Sequence, residues 1–368
     1  MLLLEAERDA LLLPLQAVTG IVEKRHTLPI LSNVLIEKNA GLLAMTATDL
    51  EIQIRTSTQA SATEDNFAIT VSAKKLQDIC RALPDKAHIR LEASDEQIQI
   101  KAGKSRFNLQ TLPAADFPVI ESSGEMESRA SLPQKILKHL IARVQYAMAQ
   151  QDIRYYLNGM LLVLNGKTIM LIATDGHRLS LASAELEQES VPQEIIVPRK
   201  TVQELGRQLA DSDDLIHIEI RRNQVAFNFS RIELVSKVIE GKFPDYNRVI
   251  PSNHTNVLEV ARLPLLQALQ RVAILSNEKF RGVRLILNQR ELRIVCNNNE
   301  QEEAHEELEV DYHGEALDIG FNVTYLLDAL NNLSCDTVQC LFGDANSSML
   351  LILPNDASFK YVVMPMRI

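Results

Sequence analysis

The feature that most constrains this 368-residue chain is a pattern that occurs three times in the same order. Each occurrence opens with apolar residues at three- and four-residue spacing, which predicts helices over residues 9–22, 133–151 and 264–276. A pair of apolar strand-like runs around a short polar turn follows and predicts hairpins over residues 33–47, 159–173 and 283–296. The period far exceeds that of solenoid repeats, so the pattern predicts duplicated domains.

Other landmarks keep the same spacing. A second helix is predicted after Val71, Val197 and Phe321, which lie 126 and 124 positions apart. The offset of 126 also links Thr48-Asp49 to Thr174-Asp175 and Phe117-Pro118 to Phe243-Pro244. We therefore predict an α+β protein of three similar domains, over residues 1–127, 128–255 and 256–368.

Composition restricts the classes of protein. A net charge of −10 argues against a chain that holds nucleic acid by bulk electrostatics. The four cysteines include no CxxC pair and no histidine at ligand spacing, so we expect neither a zinc site nor disulfides. The acidic N-terminus lacks the features of a signal peptide, and no run reaches the ~18 apolar residues of a membrane span. We expect a cytoplasmic protein without a membrane segment.

Charge is unevenly distributed along the chain. Basic residues recur at equivalent positions of two second helices, at Lys74-Lys75 and Arg199-Lys200. A solvated face is the ordinary explanation for one such helix, whereas the recurrence favours a basic inner surface. Residues 101–109 are predicted to form one basic strand, and residues 300–307 are strongly acidic. These two segments are either complementary surfaces that associate or edges guarded against aggregation.

No catalytic constellation emerges. His177 follows Asp175 closely, with Ser180 nearby, but no GxSxG elbow is present. Residues 166–168 have the wrong glycine spacing for a phosphate loop, and His305 stands without a second histidine among glutamates. Two hypotheses remain from the residues alone: a non-catalytic scaffold of repeated domains that binds peptides, and an enzyme with an inter-domain site. The lack of a convergent acid–base cluster favours the scaffold, with no metal and no cofactor.

Several motifs resemble one family closely and in order: Tyr155-Tyr156-Leu157-Asn158-Gly159, Ala173-Thr174-Asp175-Gly176-His177-Arg178-Leu179, Phe243-Pro244-Asp245-Tyr246, Ser276-Asn277-Glu278-Lys279-Phe280-Arg281-Gly282-Val283 and Met364-Pro365-Met366-Arg367-Ile368. They are similar to the bacterial beta sliding clamps, the processivity subunits of DNA polymerase III. The resemblance implies three DNA-clamp domains that form half of a closed ring, with helices inside and antiparallel sheets outside. It implies a head-to-tail homodimer around double-stranded DNA, with no enzymatic activity.

The resemblance also implies three sets of site residues. A groove for short peptides from the DNA polymerase III alpha subunit, the clamp-loader delta subunit, other polymerases and repair proteins maps onto Leu157, Thr174, Gly176, His177, Arg178, Leu179, Pro244, Arg248, Val249, Asn322, Tyr325, Asn346, Ser348, Val362, Met364, Pro365, Met366 and Arg367. Asn346 stands where relatives often have an apolar residue. DNA contacts map onto Arg25, Lys74, Lys75, Gln151, Tyr155, Tyr156, Lys200, Arg207 and Arg248. The dimer contact maps onto Lys75, Lys104, Arg106, Phe107, Leu109, Ile274, Leu275, Glu300, Glu302 and Glu303.

Overall fold

The computed structural model describes residues 2–23, 28–59, 66–94, 96–121 and 124–367. Its α-helices are α1 Arg8–Val18, α2 Ala73–Ala82, α3 Gln134–Val144, α4 Arg199–Gln208, α5 Arg262–Val272 and α6 Val323–Asn331. A short 3-10 turn extends the first helix of each repeat, at Thr19–Ile21, Gln145–Ala147 and Ala273–Leu275. The predicted first and second helices of all three repeats are confirmed.

The strands alternate with these helices. They are β1 Leu2–Glu7, β2 Asn33–Asn39, β3 Leu42–Thr48, β4 Ile52–Gln59, β5 Phe67–Ser72, β6 His88–Ser94, β7 Gln97–Ala102, β8 Ser105–Leu112, β9 Met126–Pro133, β10 Gly159–Thr174, β11 Arg178–Pro198, β12 Leu215–Arg221, β13 Gln224–Phe229, β14 Ile232–Lys237, β15 Asn256–Ala261, β16 Gly282–Asn288, β17 Glu291–Asn297, β18 Glu303–Glu309, β19 Asp311–His313, β20 Leu317–Asn322, β21 Thr337–Phe342, β22 Met349–Leu353 and β23 Asp356–Val363. Every pairing between them is antiparallel, which confirms the α+β class.

Two of the predicted hairpins appear as drawn from the sequence. Strands β2 and β3 pair around Ala40-Gly41, and β16 pairs with β17. In the central repeat, β10 runs through the predicted turn, and its pairing with β11 shifts register on both sides of Gly166. Gly166 has a φ of +57°, a conformation that glycine adopts without steric cost.

The basic segment 101–109 is not one strand. Its first residues end β7, the chain turns at Gly103 with a φ of +55°, and β8 begins at Ser105. Lys101 is already bound within the domain, because its Nζ lies 2.6 Å from the Glu92 carboxylate across the β6–β7 pair. The exposed positive charge of this segment therefore comes from the turn and from β8.

The chain forms two compact units that divide the central repeat. The first contains residues 1–135 and 203–238, and the second contains residues 136–202 and 239–368. In the first unit, β4 pairs with β14 and thereby joins two repeats in a 12-stranded sheet. In the second, β11 pairs with β23 in a 7-stranded sheet, beside a 4-stranded sheet. Sheets that continue from repeat to repeat explain why the units do not follow the repeats.

Each unit has its own hydrophobic core. Helix α2 is an example of how a core is built. It buries Leu76 and Cys80 completely, four positions apart, while Lys74 and Lys75 between its buried positions stay exposed. This periodicity lays one apolar face of the helix on the sheet. In the second unit the 7-stranded sheet buries Phe359 and Tyr361, and this packing fixes the strands that carry the groove described next.

Candidate functional site

An apolar groove of about 310 Å³ opens on the second unit. Four segments distant in sequence line it, at residues 154–157, 174–179, 243–249 and 362–364. Its floor belongs to a buried hydrophobic cluster that includes Leu179, Phe243 and Val362. Met364 stands at the rim with 46% of its surface exposed. An apolar floor with a flexible thioether at its edge suits apolar side chains of varied shape.

A tight turn ahead of β11 forms one wall of the groove. The Thr174 hydroxyl accepts from the Gly176 amide at 3.1 Å and donates to the Arg178 carbonyl at 2.6 Å. The Asp175 carboxylate accepts from the amides of His177 and Arg178. Gly176 has a φ of +90°, which explains why this position favours glycine. Short-range hydrogen bonds thus fix the backbone around which a ligand would lie.

Arg178 supports this wall from below. Only 9% of its side chain is exposed, and its guanidinium contacts the carboxylates of Asp175 at 3.1 Å and Asp328 at 2.5 Å. It also donates to the Tyr146 carbonyl and lies 4.4 Å from the Tyr325 ring centre. Because its donors are already engaged, Arg178 positions the turn rather than offering free charge to a ligand.

A second arginine lies at the groove mouth. Arg154 binds Asp152 through Nε at 3.0 Å and through Nη2 at 2.9 Å, and it also donates to the Asp175 carbonyl. These hydrogen bonds hold the pKa of Asp152 at about 2. The Arg154–Asp152 pair therefore stays charged at physiological pH, and it keeps the guanidinium against Gly176, where an added Cβ would lie 3.1 Å from it.

The groove residues implied by the resemblance fall into two sets. Those that line the cavity are Leu157, Thr174, Gly176, His177, Arg178, Leu179, Pro244, Val249, Val362 and Met364. Those outside its lining are Arg248, Asn322, Tyr325, Asn346, Ser348, Pro365, Met366 and Arg367. Asn322 caps α6 by accepting from Thr324, and Tyr325 packs on Arg178, so both hold the framework around the groove.

Sequence reasoning missed four lining residues. Arg154, Phe243 and Tyr246 were not assigned a role, and Tyr156 was assigned to DNA although it lines the groove. Phe243 and Tyr246 belong to the Phe243-Pro244-Asp245-Tyr246 motif, which includes the assigned Pro244, so extending the assignment along that motif would have found them.

The residues implied for DNA are mostly exposed. Lys74, Lys75, Gln151 and Tyr155 are exposed, Lys200 is half-buried, and the Arg248 side chain is 86% exposed beside Asp245. Arg25 lies outside the described residues. Arg207 is already paired with the buried Glu204 and reaches the Gln16 carbonyl, so its main contacts are internal.

The residues implied for the dimer lie on two strands with free edges, β8 and β18, or in separate segments: Lys75 is on α2, and Ile274 and Leu275 are in the 3-10 turn after α5. In the described part of the chain, β18 ends the 4-stranded sheet, and β8 pairs with β5 only at Thr111 and Leu112. Along β8, Arg106 is exposed while Phe107 and Leu109 are half-buried, and Lys104 is exposed in the turn before it. Ile274 is 78% exposed and, with Leu275, Glu300 and Glu302, lines a depression of about 440 Å³. Glu303 begins β18.

Within the described ranges, no three His, Cys, Asp or Glu side chains come together as a metal site. None of the helices described is both long enough and apolar enough to cross a membrane.

Repeated α+β units, continuous antiparallel sheets and an apolar groove define a multidomain binding protein. Family models of the DNA polymerase III beta subunit match nearly the whole chain: the N-terminal domain at residues 2–121, the central domain at 131–245 and the C-terminal domain at 247–367. The beta sliding clamp of Pseudomonas putida is 46% identical, covering 98% of this chain and 99% of that protein. The Escherichia coli beta sliding clamp is 45% identical with the same coverage.

Solved structures agree with this assignment. A Pseudomonas aeruginosa sliding clamp bound to griselimycin superimposes with a TM-score of 0.96 at 44% identity, covering all of both chains. A Caulobacter crescentus beta sliding clamp gives 0.93 at 38% identity, covering 100% of this chain and 99% of that one. The chain belongs to the DNA polymerase III beta subunit family, the beta sliding clamps. It consists of three DNA-clamp domains and is a non-catalytic sliding clamp that gives the polymerase processivity.

Proposed function

We propose that the groove around Leu179 and Met364 captures short peptides from proteins that work on DNA. The proposed partners are the DNA polymerase III alpha subunit, the clamp-loader delta subunit, other polymerases and repair proteins. The proposed location is the cytoplasm. The observation that carries the proposal is the apolar floor formed by Leu179, Phe243 and Val362 within one cavity. An extended peptide with one or two apolar anchors can bury them there, while Arg154 and His177 at the mouth orient its polar groups.

Met364 offers a test with a matched control. Because 46% of Met364 is exposed at the rim, ligand binding can bury its thioether. Griselimycin, which is bound to the Pseudomonas aeruginosa clamp, is proposed as a ligand of this groove and serves as the probe. We expect Met364→Ala to weaken griselimycin binding about tenfold, the loss of roughly two buried groups. Met126 is also 46% exposed but lies in the first unit, on β9, so Met126→Ala should leave affinity unchanged. Equal griselimycin affinity of both variants by isothermal titration calorimetry would show that Met364 is not part of the binding site.

We further propose that two protomers close a ring, head to tail, around duplex DNA. The support is that, among the described residues, β18 has one unpaired edge and β8 pairs with β5 only at Thr111 and Leu112. Backbone pairing across such edges would continue the sheets. The flanking charges are opposite, with Lys75, Lys104 and Arg106 near one edge and Glu300, Glu302 and Glu303 at the other. Phe107, Leu109, Ile274 and Leu275 would supply the apolar contact.

Sedimentation velocity tests the dimer. Replacing Ile274 and Leu275 together by alanine should convert dimers to monomers, because truncating a desolvated apolar anchor removes much of the binding energy of an interface. Leu263 is 50% exposed on α5 outside the proposed contact, so Leu263→Ala is the control. A double variant that sediments as a dimer at the same concentration as the control would count against this interface.

For DNA, we propose that the exposed Lys74 and Lys75 and the half-buried Lys200 touch phosphate and that Tyr155 stacks near a single-stranded junction. Arg248, Gln151 and Tyr156 are proposed as further contacts, Arg207 as a weaker one, and Arg25 on the resemblance alone. Fluorescence anisotropy on a primed template should show that Tyr155→Ala weakens binding more to the primed template than to full duplex. An equal loss on both would argue against stacking.

Domain boundaries near residues 127 and 255 remain our proposal. The family matches end at 121 and begin again at 131, on either side of position 127. The next break falls between 245 and 247, a little before position 255, which lies within the C-terminal match.

A further inference from the structure

The turn that walls the groove occurs a second time, in the first unit. There Thr48 replaces Thr174: its hydroxyl accepts from the amide two residues on, at 3.1 Å, and donates to the carbonyl four residues on, at 3.0 Å. Asp49 replaces Asp175 and accepts from the amides two and three residues on, at 2.9 and 2.8 Å. The hydrogen bonds match one for one, so the same backbone shape is built at both places.

Strand pairing after the turn matches as well. In the second unit the Met364 amide donates to the His177 carbonyl at 2.9 Å. In the first unit the Lys237 amide donates to the Glu51 carbonyl, also at 2.9 Å. Glu51 precedes His177 by 126 positions, and Lys237 precedes Met364 by 127. The first unit therefore contains a structural counterpart of the groove, assembled from the same backbone elements.

The decisive difference is one side chain on the strand. Leu179 of the groove floor corresponds to Gln53, which pairs with Val235 as Leu179 pairs with Val362. Gln53 is 4% exposed, and its amide makes two hydrogen bonds to the backbone of Ile120. Its Oε1 accepts from the Ile120 amide at 2.8 Å, and its Nε2 donates to the Ile120 carbonyl at 3.3 Å.

Those two hydrogen bonds tie down the segment that forms the opposite wall. Ile120 corresponds to Tyr246, which lines the groove in the second unit. Leu179 has no hydrogen-bonding group in its side chain and cannot make this clasp, so Tyr246 meets the cluster that contains Leu179 by apolar packing alone. A buried side-chain amide with both ends satisfied is costly to break, which makes the clasp an effective closure.

The rim of the counterpart is also unsuited to an apolar guest. Glu51 and Lys237 occupy the positions of His177 and Met364, and their charged groups lie 3.1 Å apart. An exposed ion pair adds little stability, but it puts charge where the groove has a thioether. Leu50 adopts a φ of +78° at the position of Gly176, so the counterpart carries a partly exposed leucine side chain where the groove has none.

We propose that the residue at position 53 or 179 determines which of the two sites accepts an apolar ligand: Gln53 closes the first, and Leu179 opens the second. The clasp formed by Gln53 limits each protomer to one groove. This inference rests on the proposed function of the groove as a ligand site, and it assigns to Leu179 a role in keeping the site open as well as in forming its floor.

The test transfers the clasp. Leu179→Gln in the full chain should bind Tyr246 as Gln53 binds Ile120, and the amide of residue 246 should then exchange about tenfold more slowly, as one added hydrogen bond predicts. Griselimycin affinity should fall about 100-fold, because the floor loses an apolar group and the walls close. Leu179→Asn is the matched control, since it is polar but one carbon shorter, and it should leave the exchange of that amide unchanged.

Each outcome decides the inference. Leu179→Gln with unchanged griselimycin affinity would overturn it, and so would equal losses in the glutamine and asparagine variants without protection of residue 246. If Leu179→Gln fails to fold, Gln53→Leu and Gln53→Asn provide the reverse test: both should speed exchange of the Ile120 amide about tenfold, and unchanged exchange would refute the clasp. Failure of the wild-type protein to bind griselimycin would refute the proposed ligand site, while the exchange measurements would still decide the inference.

Discussion

Arg178 should be the costliest side chain to remove near the groove. Its guanidinium contacts Asp328 at 2.5 Å, Asp175 at 3.1 Å and the Tyr146 carbonyl at 2.6 Å, with 9% of the side chain exposed. Arg178→Met keeps the aliphatic stem and removes the charge and every donor. Two carboxylates and a carbonyl would then lose their partner together.

The magnitude follows from burial. Removing one partner of a fully buried pair costs about 3–5 kcal/mol. Asp328 is 34% exposed, so water replaces part of what it loses, and we expect about 2–3 kcal/mol. For a cooperative unit of this size that loss should lower the melting temperature by about 4–12 °C. Because Arg178 supports the turn at Thr174, griselimycin affinity should fall as well.

Urea unfolding of a double-mutant cycle measures the effect directly. Arg178→Met, Asp328→Asn and the combined variant should give a coupling energy of about 1–2 kcal/mol. Arg284 pairs with Asp318 in the same unit, with both side chains near half exposure, so Arg284→Met should cost less than about 1 kcal/mol. Equal costs for the two arginines, or no coupling with Asp328, would refute the reasoning.

Three further expectations follow from the same structure. Gly176→Ala should lower the free energy of unfolding by about 1–2 kcal/mol and weaken griselimycin binding, because Gly176 has a φ of +90° and the new Cβ would crowd Arg154. A variant that binds griselimycin with wild-type affinity would contradict this prediction. Partial burial lowers the pKa of His139 below 6.5, so the unfolded chain takes up the proton more readily than the folded chain does, and the free energy of unfolding should fall as the pH drops below 6.5. His139→Gln should flatten this pH dependence when unfolding is measured at several pH values. The same slope in the variant and the wild type would contradict the prediction. Burial raises the pKa of Cys340 to about 12, so the half-exposed Cys335 should react before Cys340 with a thiol reagent at neutral pH. Peptide mapping that finds Cys340 labelled earlier would count against this prediction.

The repeat made much of the fold predictable. Local periodicity and a constant offset located the helices, because burial of one face at every third or fourth position leaves a trace in the sequence. Helix α2, for example, was predicted to follow Val71 and begins at Ala73. The turn at Gly103 was missed, because a basic run in a strand and a basic run around a turn have the same composition.

The groove was accessible mainly through resemblance. Its walls include residues far apart in the sequence, such as Leu157, Phe243 and Met364. No local sequence pattern indicates that these residues meet. Arg207 shows the converse: its spacing from Glu204 is visible in sequence, but the burial of Glu204 depends on tertiary packing. The contrast between Gln53 and Leu179 needed both the repeat and the hydrogen bonds to acquire meaning.

We propose that this protein stays on DNA by encircling it. Retention of loader-assembled protein on nicked circular DNA should be measured before and after the circle is cut to a linear form. A topological ring predicts stable retention on the circle and release once the DNA is linear. Equal retention on circular and linear DNA would mean ordinary surface binding and would contradict encirclement.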